Sequence, residues 1–171
     1  MEIWDIYDEN RNLTGRTMIR GSEVKEGEFH LVIHVCIFNF KDQMLVQKRQ
    51  PWKESWPDMW DITVGGSAIA GETSAQAAER ETLEEIGCKI DLSNETPCFS
   101  VKYSVGFDDY YVVEREIDSC NLTLQYEEVQ AVKWADEEEI LQLIKEERLI
   151  PYHDIERLFS IHKQKCKQKG Q

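Results

Sequence analysis

Seven residues between positions 66 and 87 are of the types and at the spacing that chemistry needs. Gly66, Glu72, Arg80, Glu81, Glu84, Glu85 and Gly87 follow G-x5-E-x7-R-E-x-x-E-E-x-G within the stretch GSAIAGETSAQAAERETLEEIGC. Average residue usage would produce such a match in a chain of this length roughly once in a million trials, so chance is a poor explanation. Carboxylates crowded this closely repel and raise one another's pKa unless a positive charge sits among them. Hard divalent cations meet that need, and Mg²⁺ combines a few carboxylates with water and phosphate oxygens. A lone acidic helix face is usually just solvated; Arg80, Glu72 and the two glycines argue for the metal reading here.

The elements that must hold these groups are legible nearby. Trp60 to Val64 is a short β-prone run, and Gly65-Gly66 after it permits a tight backbone path. Thr73 or Ser74 is a candidate N-cap for a helix running to about Ile86, with Gly87 as its stop. At about 100° per residue, Ala75, Ala78, Thr82 and Ile86 share one face of that helix. Glu81, Glu84 and Glu85 cluster on another, since positions three and four apart are neighbours. One face packs; the other projects three carboxylates.

Composition sets outer bounds. A chain of 171 residues is long enough for one domain with a proper core. Its net charge of −13 argues against a nucleic-acid partner, which calls for a basic face. An acidic enzyme still accepts an anionic substrate where a bound metal inverts the local field. No apolar run is long enough to span a membrane, and no signal-peptide core follows Met1. The five cysteines (36, 88, 98, 120 and 166) are odd in number and lack CxxC pairing, which predicts reduced thiols and a cytoplasmic location, with Cys36 and Cys88 packed.

Along the chain, Glu2 to Arg20 alternates around Asp8-Glu9-Asn10 and predicts a hairpin. HLVIHVCIFNF at 30–40 predicts a buried central strand, and Met44 to Arg49 its partner. Gln50 to Met59, with two prolines and two tryptophans, reads as a loop. Strands are expected near Phe99 to Val105 and Tyr110 to Ile117, joined by a turn at 106–109, and again at Val129 to Trp134. Helices are expected over Asp136 to Glu146 and Tyr152 to Lys167, and the tail HKQKCKQKGQ reads as a solvated, fraying helix end. A mixed sheet between helices is the architecture this order suggests.

The motif at 66–87 is similar to the signature of the Nudix hydrolases, a MutT-like superfamily that cleaves diphosphates linked to another group. The order of elements from His30 to Cys88 and the segment EEVQAVKW (Glu127 to Trp134) also resemble that family. WDIYDENRNLTG and EGEFHLVIHV look closer to the branch that holds isopentenyl-diphosphate isomerase and its hydrolase-like relatives. The resemblance implies an α/β (α+β) fold, an α/β/α sandwich on a central mixed sheet. It implies one domain over 1–171, with a hairpin extension at 1–29, the core at 30–150 and a C-terminal helix and tail at 151–171. Carried over by position, Glu84 and Glu85 would be the main metal ligands, Glu81 a further ligand or the general base, and the Gly65 carbonyl a backbone ligand. Arg80 and Glu72 would pair to fix the carboxylates. The cofactor would be Mg²⁺ (or Mn²⁺), and the partner a small-molecule diphosphate such as a nucleoside diphosphate linked to another moiety. Many members use an extra glutamate outside the motif; Glu128 matches its placement best and Glu127 next. Thr82 and Cys88 depart from the family's aliphatic pattern and predict altered packing. Dimerisation is common in the family; the first hairpin or last helix offers an interface, or equally caps a monomer.

Other residues are candidates on chemistry alone. Arg49 and Lys53 could contact phosphate, although long basic side chains at strand ends are more often solvated. Trp52 and Trp56 could stack on a base, Trp60 reads as core, and Tyr103, Phe107 and Tyr110 as core or edge packing. Isomerase activity is disfavoured: Gly65 and Ser67 of TVGGSA stand where the isomerase branch carries its catalytic Cys and metal-binding His. A non-catalytic nucleotide-binding domain is the other alternative, and the retained carboxylates speak against it.

Overall fold

The alternation at the N-terminus makes β1 (Ile3–Tyr7) and β2 (Leu13–Ile19), an antiparallel hairpin paired from Ile3↔Ile19 to Tyr7↔Leu13 with a register shift between Asp5 and Tyr7. The structure, a computed structural model, describes residues 2–169. The apolar run at 30–38 becomes β3 (His30–Phe38), buried along nearly its whole length. It is followed by β4 (Met44–Arg49), β5 (Trp60–Asp61), β6 (Val64–Ser67), α1 (Ser74–Ile86), β7 (Phe99–Tyr103), β8 (Gly106–Glu114), β9 (Val129–Ala135), α2 (Glu137–Lys145) and α3 (Ile155–Lys169). A 3-10 turn at Ser119–Asn121, capped by the Asp118 side chain, was not anticipated.

Strands β3 to β9 form one sheet with the order β5-β4-β3-β8-β7, while β6 pairs with β3 and β9 with β4. His30 N donates to Val105 O and Arg115 N to Phe38 O, so β3 and β8 run in the same direction. The β4–β9 and β7–β8 pairs are antiparallel. The sheet is therefore mixed and the class is α/β, as expected. Among the described residues no helix is long and apolar enough to cross a membrane.

The chain packs as two compact units. The first takes in the chain up to His34, Gly65–Glu81 and Lys89–Tyr111. Within it, the expected turn at 106–109 is instead strand. The chain reverses two residues earlier, with Tyr103 paired to Gly106. A Cβ on Gly106 would meet the Tyr103 ring hydroxyl at 2.6 Å, so glycine there lets the phenol fold over the strand. Asp109 sits in β8 fully buried because Arg11, from the hairpin turn, grips its carboxylate with both terminal nitrogens and Ser100 donates a third bond. Two aspartates looked like a turn; one of them, Asp109, is paired and core.

The second unit comprises Val35–Val64, Thr82–Cys88 and the chain from Val112 onward. Its core holds Phe38, Met44, Leu45, Ile140, Leu158 and Phe159 at 1 % exposure or less. Thr63, fully buried, donates its hydroxyl to Leu45 O and accepts from Ile37 N at 2.9 Å. That substitution of side-chain for ladder hydrogen bonds divides the run from Trp60 into β5 and β6. The tail departs from expectation: His162 is 1 % exposed, stacked on Phe38 with ring centroids 4.4 Å apart. Gly170 and Gln171, the end of that segment, lie outside the described residues. Among the described residues no cysteine is in a disulfide, and Cys36 and Cys88 are buried as anticipated.

Candidate active site

Helix α1 carries the acidic motif, and its ends are set by local chemistry. Thr73 Oγ1 accepts from Gln76 N while the Gln76 side chain accepts from Thr73 N, a reciprocal cap on the first turn. Gly87 ends the helix at φ 67, where a Cβ would meet the Thr123 side chain at 2.9 Å. Glu81 precedes Glu84 and Glu85 by three and four positions on this one uninterrupted helix, so the three project from a common side.

In the first unit, Arg80 organises its surroundings. Its Nε and Nη2 donate to the two oxygens of Glu72 at 2.7 and 3.0 Å, and Nη2 also reaches the Ser67 carbonyl at 3.1 Å. Nη1 lies 2.9 Å from Glu81 Oε1. Hydrogen bonding to Glu72, then the charge of Glu81, drives the Arg80 pKa further up and keeps the guanidinium charged. Glu72 Oε2 also accepts from Ile69 N, which pins the loop before the helix. Gly66 explains its own identity: a Cβ there would lie 2.3 Å from Glu81 Cδ. The carboxylate rests against bare backbone, in a cradle that any side chain would fill. Beside it, a Cβ on Gly65 would come within 3.3 Å of His34 Nδ1.

In the second unit, Glu85 is buried and accepts from Gln47 Nε2 at 3.0 Å, while Glu84 faces solvent. Gln47 was not singled out from sequence; the available signal was a polar residue in the middle of a buried strand. Its Oε1 is buried with no hydrogen-bond partner. The Glu85 carbonyl accepts from Gln125 N, and Gln125 O from Glu128 N, tying the segment before β9 to the helix end. Lys53 and Glu128 form an ion pair, bringing together two residues chosen for separate reasons. Glu128 is partly buried and Glu127 exposed. Arg49 is neither solvated nor open: it pairs with Asp61 at 3.2 Å and donates to the Ser55 carbonyl, pinning the aromatic loop. On that loop Trp52 and Trp56 are about half exposed, and Trp56 and Asp58 hold positive φ of 51 and 58. Lys48 and Gln130 fasten Asp58 at 2.9 and 2.8 Å. Thr82 and Cys88 are both buried, so each packs inside despite its departure from the aliphatic pattern. Phe107 and Tyr110 are core; Tyr110 stacks between His34 and Phe99.

A family model described as NUDIX domain matches residues 28–165. The chain belongs to the NUDIX domain family. It is a hydrolase of that family, 50% identical over 161 residues to a Nudix hydrolase of Listeria monocytogenes, an alignment covering 94% of this chain and 95% of that one. It is also 35% identical over 112 residues to an isopentenyl-diphosphate Delta-isomerase of Pectobacterium atrosepticum, covering 66% of this chain and 60% of the relative. In fold it is similar to a crystal structure from Deinococcus radiodurans, with a TM-score of 0.75 at 20% identity over 92% of this chain and 97% of that one. The Nudix family supports cleavage of a pyrophosphate bond in general.

Proposed function

We propose that this Nudix hydrolase cleaves the diphosphate bond of a nucleoside diphosphate linked to another moiety, with a divalent cation as cofactor. The observation that carries the reading is the cradle at Gly66: Glu81 lies against bare backbone and is held there by Arg80, which Glu72 holds in turn. A surface glutamate has no use for such support. The donor set also fits a hard cation. Glu81, Glu84, Glu85 and the Gly65 carbonyl offer only oxygen, and the partnerless Gln47 Oε1 beside Glu85 is an acceptor that a cation's hydration shell would satisfy. Bound there, Mg²⁺ or Mn²⁺ would neutralise charge on the diphosphate and acidify a water.

The chain's own residues then have distinct tasks. Arg80 and Glu72 fix Glu81. Gln47 orients Glu85. Glu81 or Glu128 accepts the proton of the attacking water, whose oxygen forms the new bond to phosphorus as the bridging P–O bond breaks. Lys53 keeps a positive charge beside Glu128, where an anionic substrate benefits, and Trp56 offers an exposed ring for a base. Arg49 serves by anchoring the loop that carries both. The products are a nucleoside monophosphate, or another phosphorylated alcohol, and the remaining phosphate-bearing piece.

An isomerase reading draws on the relatives of that name. Against it stands Gly65, which brings no thiol, and the 3.3 Å approach of His34 Nδ1 to the place a Cβ would take. The test is phosphate release from nucleoside di- and triphosphates, nucleotide sugars, dinucleotides, coenzyme A and isopentenyl diphosphate, with Mg²⁺ or Mn²⁺ and with chelator. Metal-dependent release from a nucleotide class supports the proposal. Nucleotide binding without turnover would reassign the chain as a binding domain, and conversion of isopentenyl diphosphate would reassign it as an isomerase.

A further inference from the structure

Asp42, His162 and Cys166 take no part in the function proposed above, yet they converge. Each offers one ligand atom, and the three atoms lie within 4.8 Å of one another. His162 Nε2 stands 2.8 Å from Asp42 Oδ1 and 3.7 Å from Cys166 Sγ. Glu114 Oε2 lies 2.5 Å from the same sulfur. His162 and Cys166 are one helical turn apart on α3, a spacing within the range that helical zinc ligands use. The imidazole is held in place, 1 % exposed and stacked on Phe38 with the ring planes 8° apart. Asp42 reaches it from the exposed turn between β3 and β4.

We propose that Asp42, His162 and Cys166, with Glu114 as a fourth donor, form a second metal site that takes Zn²⁺ or a similar borderline-soft divalent ion. The distances support this arithmetic. A tetrahedral Zn²⁺ with a bond of about 2.3 Å to sulfur and about 2.05 Å to nitrogen separates those atoms by about 3.6 Å. The observed Sγ–Nε2 separation is 3.7 Å. The same geometry separates nitrogen from a carboxylate oxygen by about 3.3 Å, so the Asp42 pair must open by roughly 0.5 Å. Asp42 is 57% exposed and can yield that much. Sulfur and the Glu114 oxygen must part by roughly 1 Å, a small side-chain rotation. A thiolate and an imidazole select softer metals than the all-oxygen donors of the acidic motif, so the two sites sort different ions. Binding takes Cys166 as thiolate and releases its proton to solvent, which makes affinity rise with pH.

The experiment is a Co²⁺ titration of the full, reduced, metal-stripped chain, followed by absorption and then by Zn²⁺ competition. One equivalent of Co²⁺ is expected to give a near-ultraviolet thiolate charge-transfer band and tetrahedral visible bands, both erased by Zn²⁺. Cys166→Ser should abolish the charge-transfer band, Glu85→Gln should leave it intact, and Cys120→Ser should also leave it intact. Asp42→Asn, on an exposed turn where folding is not at stake, should keep the band and weaken Co²⁺ binding about 10-fold or more. No thiolate band at one equivalent, a band that survives Cys166→Ser, or unchanged affinity in Asp42→Asn would each overturn the site as drawn.

Discussion

Replacing Gly66 by alanine isolates what the position of Glu81 contributes to turnover. A Cβ on residue 66 would lie 2.3 Å from Glu81 Cδ and 2.4 Å from Oε1. Carbon atoms in contact prefer about 3.5 Å or more, so the carboxyl carbon must retreat by roughly 1.2 Å. Gly66 does not hold a positive φ, and alanine is therefore no burden on the backbone. The whole effect falls on the one side chain. Arg80 would lose its 2.9 Å contact to Glu81 but keep Glu72 and the Ser67 carbonyl, so the stability loss should be about 1 kcal/mol or less. Misplacing a catalytic group by about 1 Å costs about 100-fold in rate. The expected outcome is a folded variant whose kcat falls by about two orders of magnitude, read by initial rates of phosphate release alongside urea melts. Glu81→Gln combined with Gly66→Ala should be no slower than Glu81→Gln alone, because both act through one carboxylate. A folded Gly66→Ala with unchanged kcat would remove Glu81 from the reacting centre.

Glu85→Gln and Glu84→Gln should each lose most turnover with the urea midpoint nearly unchanged, since each removes an ionised donor and keeps the side-chain shape; full activity at saturating Mg²⁺ would exclude that residue as a ligand. Arg11→Met should destabilise by about 3–5 kcal/mol in urea titration, because Asp109 is fully buried and would lose the cation that compensates it; a loss under about 1 kcal/mol would mean that the Ser100 hydrogen bond suffices. Burial holds the His30 pKa below 6.5, against the weaker pull of Asp108. The unfolded chain then binds the proton first as pH falls, so stability is full above about 6.5 and declines below it toward the folded pKa. His30→Gln should flatten that slope in melts between pH 7 and 5; an identical slope would assign it to other groups.

What could be read from the sequence divides along a physical line. Local, periodic signals carried over almost residue by residue. The run at 30–38 became β3, Met44 to Arg49 became β4, and the motif helix begins at the predicted cap and stops at Gly87. Each of these depends on propensity, periodicity or a capping side chain within a few positions. The pairing of Arg80 with Glu72, eight positions apart, was expected from the family resemblance and not from local pattern. Pairings between distant segments were not. Asp108-Asp109 has the look of a turn until Arg11, 98 residues away, turns one of them into core. HKQKCKQKGQ has the look of a solvated tail until Asp42, 120 positions away, and Phe38 claim His162. In both cases a charged or titratable residue defied the rule that such groups stay outside, and a partner invisible to local patterning made burial affordable. Gln47 belongs with them: its polarity inside a buried strand has a reason only once Glu85 is seen beside it. A buried polar residue in a strand or helix of otherwise apolar character is thus a request for a partner elsewhere in the chain.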